Sequence, residues 1–147
     1  MIHSLDGTAA RMIEIAAAEI GYHEGANNHT KYQSKDQAWC GAFLMWCAKA
    51  NQIEVPNVVG TEAGAVAMKK LGQWHETPIP GDFVFFDFID DNKVRIQHVG
   101  IVEKVSANSI ITIEGNTSDQ VMRKTRKLGA HSQIVGYGRP NYRKAES

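Results

Sequence analysis

Gln37-Ala38-Trp39-Cys40-Gly41-Ala42-Phe43 is where a polar stretch gives way to an apolar set, Phe43, Leu44, Trp46, Cys47 and Ala50. The spacing predicts a helix that opens on Cys40 and is buried on most sides. Backbone N–H groups left unpaired in a helix's first turn, together with the helix dipole, stabilise a thiolate, so a cysteine there is placed to react. A cysteine nucleophile also needs a histidine base, a group that orients the histidine, and donors for an oxyanion. Each of these parts has a candidate elsewhere in the chain.

Upstream, Ala9, Met12, Ile13, Ala16, Ala17 and Ile20 mark a first amphipathic helix that begins at Asp6 and stops at Gly21. The stretch between Gly21 and Ala38, rich in Gly, Asn, His and charge, reads as a loop that shapes a cleft beside Cys40. A third helix runs from Thr61 as N-cap through Ala63, Val66, Ala67, Met68 and Leu71 to Gly72. Beyond Pro78-Ile79-Pro80-Gly81 the period changes, and β-rich runs follow at 82–88, 95–105, 109–115 and 133–138. The whole reads as an α+β domain, its N-terminal helices packed on a mostly antiparallel β-sheet.

At 147 residues, 43% of them hydrophobic, the chain can build one core and is too short for two comfortable domains, so 1–147 is expected to be a single domain. Sixteen basic and sixteen acidic residues cancel, and no overall field draws the chain to nucleic acid or to an anionic membrane. The apolar runs are too short for membrane insertion, and residues 1–6 lack the basic start and hydrophobic core of a Sec-type signal peptide. Synthesis in the cytoplasm without such a signal is the expectation. Cys40 and Cys47, seven residues apart on one helix, would hold their Cα atoms about 10 Å apart, beyond disulfide reach. Both should be free thiols, with Cys47 packed as a small hydrophobe.

Of six histidines, His98 alone sits inside a strand-like run, Ile96-Gln97-His98-Val99-Gly100-Ile101-Val102, where alternation puts it on one face with the small Gly100. On the next run, Thr112, Glu114 and Asn116 share a face. A hairpin centred near Ala107 sets His98 opposite Asn116 and diagonal to Glu114. A carboxylate on one imidazole nitrogen fixes the tautomer and supports the charged ring, the role Glu114 fits best, although Asn116 could orient the ring without charge. His3, His75 and His131 read as surface residues, and His23, Glu24 and His29 lack zinc-ligand spacing. Trp46 reads as core, Trp39 and Trp74 as groove-lining aromatics, and the basic run 123–127 as a solvated face.

Taken in order, Trp39-Cys40-Gly41-Ala42-Phe43, Pro78-Ile79-Pro80-Gly81-Asp82-Phe83-Val84-Phe85-Phe86, His98-Val99-Gly100-Ile101-Val102, Ile113-Glu114-Gly115-Asn116 and Gly136-Tyr137-Gly138-Arg139-Pro140 resemble the CHAP domain. This is the cysteine, histidine-dependent amidohydrolase/peptidase family of papain-like enzymes, found in bacteriophage endolysins and bacterial wall hydrolases. The likeness runs from about residue 9 to about 142. It implies a papain-like CHAP fold with Cys40 as nucleophile, His98 as general base, Glu114 as third catalytic residue and Asn116 as the polar residue that follows. Gln37, Trp39, Gly41 and Trp74 form the expected substrate and oxyanion set, with the helix-start N–H groups as oxyanion donors. The implied substrate is bacterial peptidoglycan, cut at the N-acetylmuramoyl-L-alanine amide or within the stem or cross-bridge, so the protein would act on the cell wall. No cofactor is expected. Some phage members carry a calcium-binding aspartate pair before the nucleophile, and the matching positions here are Lys31 and Gln33, so no metal is expected either. A separate wall-binding domain has no room in the chain, leaving recognition to this domain or to an additional subunit or larger product. A secreted toxin or effector of the same chemistry, and a non-catalytic wall-binding module, are the competing expectations.

Overall fold

The computed structural model describes residues 5–144; His3 lies outside them. The first helix, α1, spans Ala9–Ala18, and the side chain of Thr8 caps it by accepting the Arg11 N–H at 3.1 Å. It therefore starts three residues later than hydrophobic periodicity alone suggests, directly after the residue whose hydroxyl can satisfy a first-turn N–H. The second, α2, spans Cys40–Ala50 and opens on Cys40 as expected. The third, α3, spans Thr61–Lys70, with Gly60 at its N-cap. Thr61 is not the cap: its hydroxyl donates to the Ile96 carbonyl at 3.0 Å and ties α3 to the segment entering the next strand layer.

Among the described residues six strands form one antiparallel sheet: β1 Trp74–His75, β2 Phe83–Phe86, β3 His98–Val105, β4 Ser109–Thr117, β5 Gln120–Lys127 and β6 Ile134–Gly138, in the spatial order β1-β6-β2-β3-β4-β5. Four of them match the β-rich runs. β1 is too short to carry a periodic signal, and β5 falls in a stretch whose Arg and Lys content hides its alternation. Helix α2 packs on β3 and β4, and α1 packs on α2. Met12, Phe43, Leu44, Cys47, Met68, Phe83, Phe85, Val99, Ile101 and Ile113 fill the core between the layers. Val84, Phe86, Val102, Ile110 and Tyr137 form a smaller cluster on the other sheet face. Among the described residues no helix is long and apolar enough to cross a membrane.

The stretch between α1 and α2 is less free than its composition suggests. Gly21 N–H donates to the Val121 carbonyl, Val121 N–H returns a bond to Tyr22, and Glu24 N–H donates to Asp119, so its first residues pair with the start of β5. A short 3-10 turn at Ala26–Asn28 follows.

Candidate active site

Cys40 is the first residue of α2 and is 6% exposed. Trp39 caps the helix without a side-chain hydrogen bond, and the first backbone bond runs from Phe43 N–H to the Trp39 carbonyl at 3.0 Å. The N–H groups of Cys40, Gly41 and Ala42 precede that bond and lie outside the helical ladder, the arrangement that binds anions. Gly41 is what lets this end of the helix lie against the Val58–Val59 backbone, since a Cβ there would sit 2.0 Å from the Val58 carbonyl oxygen.

His98 is the first residue of β3 and is paired with Phe86 across β2. The β3–β4 register has Ile101 opposite Ile113 and Val102 opposite Thr112, the pairing of a hairpin centred near Ala107. Glu114 thereby comes to His98, with His98 Nε2 at 2.8 Å from Glu114 Oε1. The other ring nitrogen, Nδ1, is not engaged by Glu114, and the neighbouring Cys40 side chain favours the charged ring. Burial opposes charge on the ring, but the hydrogen bonds and charges of Cys40 and Glu114 outweigh it, and the His98 pKa is raised from 6.5 to about 9.

Glu114 is fully buried. Burial alone would raise its pKa, yet hydrogen bonds from His98, Arg126 and Thr112 hold the carboxyl down at about 2. Thr112 Oγ1 donates to Oε2 at 2.5 Å and Thr117 Oγ1 to Oε1 at 3.2 Å, while Arg126 reaches both oxygens. A buried carboxylate so supplied with donors stays ionised.

Asn116 does not join this chain of hydrogen bonds. It lies at an irregularity of the β4–β5 pairing between Glu114 and Thr117, with φ +60°, and the ring nitrogen it could have oriented is taken by Glu114. Of the expected substrate set, Gln37 is exposed, accepts the Gln33 amide at 2.6 Å through its carbonyl, and lines a groove of about 330 Å³ with Tyr32, Gln33, Ala42 and Val59. Trp39 is fully buried, so it cannot stack on a sugar: its ring lies against Tyr32, centroids 5.6 Å apart, and its Nε1–H donates to Glu24 at 2.9 Å. Trp74 is likewise removed from the site, on β1 at the far edge of the sheet with β6 and β2 between it and β3. Its ring packs on Phe85 with the Lys69 ammonium 4.6 Å from the centroid.

Cys47 is buried and a free thiol, like Cys40, and burial pushes its pKa up. Trp46 is partly buried and packs against the core, as expected. His131 is exposed, whereas His75 is half-buried in β1. His29 pairs with Asp36 at 3.1 Å, and Glu24 is engaged by Trp39 and the Asn28 N–H. Lys31 lies 2.6 Å from Glu19 with its ammonium over the rings of Tyr22, Tyr32 and Trp46, and the Gln33 amide bonds the Asn28 and Gln37 carbonyls. An ammonium so held offers no oxygen ligand to a calcium ion.

One reading is corrected by β5. The run 123–127 is not simply a solvated face, because strand alternation leaves Arg123, Thr125 and Lys127 exposed and turns Arg126 inward to Glu114. Arg126 is also the residue that sequence reasoning misses, because the Arg and Lys content of its strand hides the alternation that turns it inward.

The CHAP domain family model matches residues 31–116. Among curated proteins there is no significant match. Solved structures similar in fold to this chain include two at low identity. One is NlpC1 from Trichomonas vaginalis, at 15% identity and a TM-score of 0.56, covering 90% of this chain and 44% of that one. The other, described as similar to a lipoprotein of the NLP/P60 family, is from Staphylococcus aureus subsp. aureus Mu50, at 17% identity and a TM-score of 0.54, covering 94% of this chain and 43% of that one. The chain thus spans less than half the length of either, and at these identities the likeness shows a shared fold.

Proposed function

Because this chain belongs to the CHAP domain family, we propose that it is an endolysin-type peptidoglycan hydrolase, cutting either the N-acetylmuramoyl-L-alanine amide or a peptide bond of the stem or cross-bridge. The observation that carries the proposal is the placing of His98 between Glu114, which holds its Nε2 at 2.8 Å, and the Cys40 side chain, which favours the charged ring. It has the order nucleophile, base and orienter that acyl transfer through sulfur requires.

With Glu114 held near pKa 2 and His98 near 9, the ring is an imidazolium at neutral pH. The attacking species of a cysteine nucleophile is the thiolate. Sγ forms a bond to the amide carbonyl carbon, and the carbonyl electron pair moves onto oxygen. The N–H groups at the start of α2 face the oxyanion, with Gly41 keeping that end of the helix close against Val58. His98 passes its Nδ1 proton to the departing nitrogen, the C–N bond breaks, and a thioester and a free amine result. Water then attacks the thioester while His98 takes its proton, releasing the carboxylic acid and restoring the sulfur. Throughout, Glu114 holds Nε2, so the ring turns neither away from sulfur nor into the other tautomer. The Gln37 groove is the proposed path for the substrate's peptide.

The test is digestion of purified peptidoglycan of differing stem and cross-bridge chemistry, with Cys40→Ala as control and new termini identified by mass spectrometry. A new L-alanine amino terminus identifies an amidase, and a terminus inside the stem or bridge an endopeptidase. Fragments released equally by Cys40→Ala would overturn the proposal.

A further inference from the structure

We infer that Arg126 is a positioning residue, whose guanidinium fork fixes the Glu114 carboxylate and balances its charge so that His98 stays free to exchange its proton with Cys40. The inference rests on the roles proposed above for those three residues.

The geometry is a fork on a buried anion. Arg126 Nε donates to Glu114 Oε2 at 2.9 Å and Nη2 to Oε1 at 2.6 Å. Oε1 is the same oxygen that faces His98 Nε2. The guanidinium is aimed by two aromatic rings, lying 5.0 Å from the centroid of Phe86 and 5.2 Å from that of Phe88. Those rings are stacked at 5.3 Å, and both also flank the His98 ring, at 5.7 and 5.5 Å. Base and guanidinium are thus registered against the same pair of rings.

Chemistry says why a second cation is needed. A fully buried carboxylate needs a compensating charge, and His98 cannot supply one at all times because it gives up its proton during turnover. Arginine does not deprotonate and holds a carboxylate in two-point geometry, which lysine cannot reproduce. With Arg126 in place, Glu114 remains an anion when His98 is neutral and does not recapture the proton meant for the leaving group. The groups that face this pair are Cys40 from α2, Glu114 and Thr112 from β4, and Arg126 from β5, with the uncharged rings of Phe86 and Phe88 completing the wall.

The test compares full-length wild type, Arg126→Gln and Arg126→Lys by NMR titration of the His98 ring, by the pH profile of kcat on peptidoglycan, and by Tm. Loss of a cation raises the pKa of every neighbour, so Arg126→Gln should move the His98 midpoint and the alkaline limb of turnover upward by about one pH unit. Arg126→Lys keeps the charge, so its midpoint should stay near that of wild type while kcat falls about tenfold as the carboxylate loosens. A folded Arg126→Gln with the wild-type His98 midpoint, altered only in Tm, would overturn the inference. If Arg126→Gln does not fold, Arg126→Lys decides: full kcat there overturns it, and reduced kcat at the wild-type midpoint supports it. Wild type that leaves peptidoglycan intact would sink the hydrolase reading alone, because the NMR midpoints need no substrate.

Discussion

Gly100 on β3 lies directly beneath Glu114: a Cβ at that position would come within 2.7 Å of the Glu114 Cγ and 3.3 Å of the Ile113 carbonyl oxygen. The bare backbone is what admits the carboxylate to His98. Gly100→Ala should therefore push Glu114 aside, lowering kcat while costing about 1–3 kcal/mol of stability, the usual range for an overpacked site. Urea unfolding and peptidoglycan turnover, measured together, check it. Full kcat in a folded variant would mean that the carboxylate can shift without loosening the ring.

Stability should follow pH in a defined way. The His98 pKa is raised from 6.5 to about 9, so the charged ring's contribution is full below pH 6.5 and is lost as pH rises through 9. The Glu114 pKa is lowered from 4.5 to about 2, so its contribution is full above pH 4.5 and is lost as pH falls through 2. Between those arms lies a plateau, and the alkaline arm is worth about 3 kcal/mol at most. Unfolding free energies of wild type and His98→Gln from pH 5 to pH 10 test this, the variant being expected to lose most of the alkaline decline. Parallel curves would assign that decline to other groups.

The two cysteines should react differently. Cys40 sits at a helix start beside the charged ring of His98, while Cys47 is fully buried and its thiol is pushed up by burial. Iodoacetamide at mildly acidic pH should label Cys40 and spare Cys47 in the folded protein, with His98→Ala slowing the labelling of Cys40 about tenfold or more. Peptide mapping reads both sites in one experiment. Equal labelling of Cys40 with and without His98 would speak against the proposed pair.

Trp39 should matter for stability rather than for carbohydrate contact. Trp39→Phe keeps most of the ring buried against Tyr32 but removes the Nε1–H that reaches Glu24. The loss should be about 1–3 kcal/mol, the cost of leaving a partly buried carboxylate short of one donor. Amide exchange in residues 22–31 should quicken, since Glu24 also holds the Asn28 N–H. An unchanged exchange pattern would show that the stretch is held by its pairing with β5 alone.

What the sequence reveals here depends on how local the determining physics is. Cys40 is legible because a helix start and an apolar period lie side by side in the chain, and His98 and Glu114 because strand alternation and one hairpin register bring them together. Arg126 is illegible by the same means: its neighbours are charged, and its inward turn is set by a partner twelve positions earlier on another strand. Trp39 misleads because polar neighbours suggest exposure, whereas the ring is covered by Tyr22 and Tyr32 folding back from the preceding stretch. Thr61 has the side chain of a cap but spends its hydroxyl on Ile96, a tertiary contact with no trace in helix periodicity.

The inward turn of Arg126 also bears on where the proposed catalytic unit ends. The family match stops at residue 116, after Cys40, His98 and Glu114, and ten residues short of the guanidinium that pairs with Glu114. A fragment cut at that point would contain the three residues of the proposed mechanism and still bury a carboxylate without its permanent counter-ion. During synthesis the same holds in time, because the site's charges balance only when β5 has been added to the edge of the sheet. On the proposed mechanism the smallest functional unit is set by electroneutrality and extends at least through Arg126.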